Sequence, residues 1–140
     1  MGKIAIDNAD DVLASCREVI AAWVFGSGKT GQVRRGSDLD VAVLFRSKPG
    51  LDQLTTLRAD LQKSLRFEEI DLVVLNTASS ILRFEALSGE RIYCADAGRC
   101  AEFVSLTARE YEDDVAMIRR YLTRRSAADP HRVATPGSAP

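Results

Sequence analysis

The stretch that most constrains this chain runs from Val24 to Phe45. Val24-Phe25 ends at Gly26-Ser27-Gly28-Lys29-Thr30-Gly31, and within about ten residues Ser37-Asp38-Leu39-Asp40 opens a second apolar run, Val41-Ala42-Val43-Leu44-Phe45. Side chains alternate faces along a strand, so Asp38 and Asp40 are expected on one face with Leu39 on the other. Two neighbouring carboxylates repel unless a cation sits between them, and Mg²⁺ prefers carboxylate and phosphate oxygens. A Gly-Ser turn whose backbone N–H groups face such an ion offers a seat for a phosphate chain. The pattern predicts a metal–nucleotide site.

Two other motifs share these letters and fail on context. Gly28-Lys29-Thr30 resembles the end of a Walker A loop, but the position where that loop needs its opening glycine is Trp23, too bulky for the turn. Residues 26–31 also satisfy GxGxxG. A dinucleotide fold would need a crossover helix before the next strand, and the segment from Gln32 to Ser37 is too short to supply one.

Three acids from distant parts of the chain converge if a later strand joins these two. Asp71 stands in Glu69-Ile70-Asp71-Leu72-Val73-Val74-Leu75, an apolar run interrupted by one acid. Alone, it reads as a strand-end aspartate accepting hydrogen bonds from a loop. A carboxylate inside an otherwise buried strand is costly without a partner, however. Beside Asp38 and Asp40 it completes a set able to hold two Mg²⁺ ions around a triphosphate. Asp71 is then the candidate base for an acceptor hydroxyl.

Length fits one domain with a real core: 140 residues, 46% apolar and 28% charged. A net charge of −1 gives no global attraction to nucleic acid or anionic membrane, so no direct nucleic-acid binding is expected. Cys16, Cys94 and Cys100 form neither a CxxC nor a Cys/His cluster, and read as reduced thiols. No signal-like segment and no bilayer-length apolar run is evident, which predicts a cytoplasmic protein without membrane contact.

In order, Asp7 or Asn8 can cap a helix to about Ala21, with Val12, Leu13, Cys16, Val19 and Ile20 on one face. Strands are expected at residues 22–25, 38–45 and 70–75, and a leucine-rich helix at 51–65. Residues 78–87 predict a helix stopped at Gly89, and 91–94 an edge strand or loop. A long helix is expected over 99–124, with Val104, Ala108, Tyr111, Val115, Ile118 and Leu122 in one stripe suited to the sheet or to a partner chain. The domain is expected to span residues 1–125, with 126–140 a disordered tail rich in Ala, Pro, Ser and Gly. Tyr93, Tyr111 and Tyr121 read as packing groups rather than base-stacking ones, and His131 as a solvated tail residue. Arg119-Arg120 and Arg124-Arg125 suit the negative end of the helix dipole without invoking RNA.

Gly26-Ser27, Asp38-Leu39-Asp40 and Asp71, with Ser37 ahead of the Asp pair, resemble the signature of the minimal nucleotidyltransferases of the DNA polymerase β-like superfamily. The resemblance covers about residues 10–95 in order and spacing. It implies an α+β fold, a small mixed sheet with helices packed on it and a long C-terminal helix. It also implies that Asp38, Asp40 and Asp71 bind Mg²⁺ and catalyse, and that Gly26, Ser27 and Ser37 hold the nucleotide. Gly28-Lys29-Thr30 departs from the residues usual after Gly-Ser. Lys29, Arg34 and Arg35 keep two readings, phosphate contact or solvated loop, with the loop favoured.

Small members of this family resemble antitoxins paired with HEPN ribonuclease toxins. The resemblance therefore implies an enzyme transferring AMP from ATP to a tyrosine hydroxyl of a partner HEPN toxin, in a hetero-oligomer. Two alternatives stand beside it: an antitoxin that acts by binding alone, and a small-molecule nucleotidyltransferase, for which the chain has little length to build an acceptor pocket.

Overall fold

The computed structural model describes residues 8–26 and 38–128, with side chains described as far as Arg124. Two continuously buried central strands flanked by two half-buried ones make a four-stranded sheet with a core on each face. The strands are β1 (Val19–Phe25), β2 (Leu39–Phe45), β3 (Ile70–Val74) and β4 (Glu90–Cys94), in spatial order β3-β2-β1-β4. β1 is antiparallel to β2 and β4, whereas β3 runs parallel to β2. This is the mixed sheet with packed helices that the resemblance implies.

On one face Val24, Val41, Val43, Phe45 and Ile70 meet α1 (Ala9–Ser15) and α2 (Leu51–Leu65) through Leu13, Leu57 and Leu61. On the other, Ile20, Trp23, Phe25, Ala42 and Leu44 pack against α3 (Ser80–Leu87) and α4 (Ala97–Ala128) through Ala86, Cys100 and Phe103. β1 and nearly all of β2 are buried on both faces, which explains their continuous apolar runs. All three cysteines are free thiols.

The largest departure from expectation lies at the start. Val19-Ile20-Ala21, expected as the end of the first helix, open β1 instead, and α1 stops at Ser15. Both Val19 and Ile20 are buried, but in opposite faces of the sheet, a choice that a helical stripe and a buried strand satisfy equally well in sequence. Asn8 occupies the N-cap of α1 without a side-chain capping bond. Residues 91–94, open between strand and loop, lie in β4 and close the edge of the sheet on β1.

The expected stripe on α4 is packed over only part of its length. Its middle packs on α3, where Phe84 stacks on Tyr111 with ring centroids 4.0 Å apart, Arg83 pairs with Glu110 at 3.3 Å and Ser80 donates to Asp114, whereas Val104 is exposed. Ile118 and Leu122 lie beyond the reach of that helix and are exposed, as is Met117 at 59%. The helix continues past Arg124 to Ala128, and the rest of the expected tail, residues 129–140, lies outside the described residues. Among the described residues no helix is long and apolar enough to cross a membrane.

Gly89 brings α3 against the sheet. A Cβ there would lie 2.8 Å from Phe25 Cβ and would overlap the Val24 carbonyl oxygen, so the turn into β4 can approach the end of β1 only as glycine. Since the obstacle is backbone, Gly89→Ala is expected to destabilise the fold by about 1–3 kcal/mol in urea denaturation. Unchanged stability would mean that the approach is dispensable.

Candidate active site

The sheet itself brings two of the three expected acids together. In the parallel pairing of β2 with β3, Asp40 and Asp71 are direct register partners. Adjacent strands lie about 4.8 Å apart, and residues paired across them project from the same face. Leu39, Val41, Ile70 and Leu72 belong to the α1/α2 face, so Asp40 and Asp71 project to the side covered by α3 and α4. Leu39 N–H donates to the Glu69 carbonyl at 2.7 Å and sets this register where both strands begin.

Gly26 closes the site from β1. Phe25 is the register partner of Asp40 across β1 and β2, so the next residue stands beside that carboxylate. A Cβ on Gly26 would lie 2.7 Å from Asp40 Oδ2, and its φ of +66° is one that side-chain-bearing residues rarely adopt. The backbone needs glycine there, and the missing side chain leaves the Asp40 carboxylate its room. Ser27 and Ser37, expected at the nucleotide, lie outside the described residues, as do Lys29, Arg34 and Arg35.

Asp38 immediately precedes β2 and is exposed, as is Asp71, while Asp40 is half-buried. Burial is the main cause that pushes the Asp40 carboxyl above the ordinary carboxylate value. The negative charges of Asp71, Asp38 and then Glu85 push it further in the same direction. Glu85 was not foreseen as part of the site. It lies on α3, one residue before buried Ala86, and nothing local separates it from any solvated helical glutamate. Only the packing of α3 beside β1 brings its charge to Asp40.

A cation beside Asp40 would relieve the crowding. Among the described residues no three acidic, cysteine or histidine side chains form a ready-made metal cage. Mg²⁺ does not ordinarily need one, because it takes one or two carboxylates and completes its shell with water and substrate phosphates. An all-oxygen donor set with a shared excess of negative charge fits that ion.

A raised carboxyl pKa has a definite sign. The folded protein holds the Asp40 proton more tightly than the unfolded chain does. Stability of the metal-free protein should therefore fall as pH rises from the ordinary carboxylate range through the raised Asp40 value, then level off. Asp40→Asn should flatten that fall and raise the melting temperature of the metal-free protein at neutral pH, and Glu85→Gln should do the same more weakly. Thermal melts across the acidic range check this, and an undiminished fall in Asp40→Asn would contradict it.

Comparison with known proteins follows the same lines. Residues 7–98 match the family described as polymerase beta, nucleotidyltransferase. No curated protein matches the chain. Among solved structures, a toxin–antitoxin crystal structure with AMP-PNP is similar at 21% identity over 89% of this chain and 100% of that one, with a TM-score of 0.71. The MntA–HepT toxin–antitoxin structure matches at 20% identity over 84% of this chain and 92% of that one, TM-score 0.61. A tri-AMPylated Shewanella oneidensis HEPN toxin in complex with MNT antitoxin matches at 20% identity over 84% of this chain and 92% of that one, TM-score 0.62. At these identities the likeness is one of fold.

Proposed function

The chain belongs to the polymerase beta nucleotidyltransferase family, and from that premise we propose that it is an antitoxin that transfers AMP from ATP to a tyrosine hydroxyl of a partner HEPN ribonuclease toxin. The observation that carries the reading is the pairing of Asp40 with Asp71 across parallel strands, against a glycine that leaves room for the Asp40 carboxylate. The similar folds support the choice of donor and acceptor: one is a toxin–antitoxin structure with AMP-PNP, and another holds an AMPylated HEPN toxin with its MNT antitoxin.

In this reading Asp38, Asp40 and Asp71 hold Mg²⁺, with two ions in the full site. Bound Mg²⁺ supplies positive charge to the triphosphate oxygens. Gly26, Ser27 and Ser37 receive the phosphate chain. The acceptor hydroxyl oxygen attacks the α-phosphorus, a new O–P bond forms, and the bond to the β-phosphate oxygen breaks to release pyrophosphate. The hydroxyl proton passes to the Asp71 carboxylate, which is exposed and so open to an incoming protein side chain. Half-burial of Asp40 suits the opposite task of staying fixed under the ions.

The protein is to be mixed with a HEPN ribonuclease toxin, labelled ATP and Mg²⁺. Label is expected on a tyrosine of the partner, together with loss of its ribonuclease activity. Asp40→Asn and Asp71→Asn should each lower the labelling rate at least about a hundredfold. Inhibition of the partner without label would replace transfer by occlusion, and labelling that survives both substitutions would remove the acids from the chemistry.

A further inference from the structure

The opposite end of the sheet carries a second feature that the acids do not use. A cleft of about 330 Å³ opens where β1 begins and β2 ends, under the first turns of α4. Its apolar surface comes chiefly from Phe103 and Leu106, over buried Leu44, and its charged surface includes Arg46 and Arg99. β2 carries the chain about 3.3 Å per residue from Asp40 to Phe45, so the cleft is on the order of 15 Å from the carboxylate pair.

The polar groups of this cleft divide into committed and uncommitted ones. Asn76 is committed: its Oδ1 accepts from Phe45 N–H at 2.9 Å and its Nδ2 donates to the Phe45 carbonyl at 2.8 Å. Arg83 is committed too, donating to the Leu75 and Asn76 carbonyls at 2.8 and 2.9 Å, pairing with Glu110 and lying 5.2 Å over the Phe103 ring. These bonds tie β3's exit, α3 and α4 together, so the walls are built before any ligand arrives.

Arg46 and Arg99 are not held in this way. Arg46 Nε donates to the Arg17 carbonyl at 3.0 Å, and its other nitrogens have no partner among the described residues. The Arg99 guanidinium has none among them either and forms no ion pair with Glu102, the acid that shares the cleft. Two exposed guanidinium groups therefore stand beside an apolar floor on which Leu106 is 45% exposed. A bare inorganic anion would leave that floor wet, and a neutral apolar molecule would leave the arginines idle.

We infer that this cleft is a binding site for a small organic anion, an apolar body of few carbons bearing one carboxylate or phosphate, with Arg46 and Arg99 on the anionic head and Phe103 and Leu106 under the body. The site stands independently of the nucleotide reading, since none of its residues belongs to the acid end. The full chain, labelled with ¹⁵N, is to be titrated with phenyl phosphate and with phenylacetate, and with inorganic phosphate and benzyl alcohol as half-ligands.

Saturable shifts are expected around Leu44, Arg46, Phe103 and Leu106 with either amphipathic anion, the tighter of the two naming the head group. Each half-ligand should bind more weakly. Arg99→Glu, an exposed position whose exchange leaves the core untouched, should weaken binding about tenfold or more while the amide spectrum stays dispersed. The inference is overturned if no saturable shift is seen, if shifts fall only at the Gly26–Asp40 end, if benzyl alcohol binds as tightly as phenyl phosphate, or if Arg99→Glu binds unchanged.

Discussion

Like charges held against each other by backbone pairing are the constraint on which the rest of this structure turns. Asp40 and Asp71 cannot move apart without breaking the β2–β3 ladder, because they are register partners in it. Antiparallel pairing of β1 with β2 adds Gly26 from the other side. Burial of Asp40 first, and then this repulsion, is a cost to the metal-free fold, seen in the upward push on the Asp40 carboxyl. It is tolerable because the same three strands bury continuous apolar runs on both faces, so packing elsewhere in the sheet offsets the local penalty.

Much of this was legible in the residues, for identifiable reasons. The helix over Leu51–Leu65 coincides with its expectation because its leucines recur on one face between a Pro-Gly turn and Arg66, whose backbone is left-handed. β2 and β3 were legible because each is an apolar run marked by an acid at its start. The start of β1 was not, since Val19-Ile20-Ala21 fit either period and only the tertiary fold chooses between them. The parallel direction of β3, which makes Asp40 and Asp71 exact neighbours, depends on the α2 crossover rather than on any local signal. Glu85 was invisible because its relevance is purely spatial. Ser27 and Ser37, expected in the phosphate seat, fall outside the described residues.

Among the described residues, the two ends of the sheet gather different side chains. Acids gather where β1 ends and β2 and β3 begin, while arginines gather where β2 ends and α4 begins. Total charge alone could not have revealed either group. Under the proposed function the acidic end is the metal–nucleotide site. The basic end rests only on the groups that line it.

The most direct test of the metal–nucleotide account is a crystal structure with Mn²⁺ in place of Mg²⁺ and a non-hydrolysable ATP analogue, read by anomalous scattering. The account predicts a manganese peak bridging Asp40 and Asp71, about 2.0–2.2 Å from an oxygen of each, with the triphosphate against Gly26. Nucleotide bound with its metal away from both carboxylates, or a peak on neither, would contradict it.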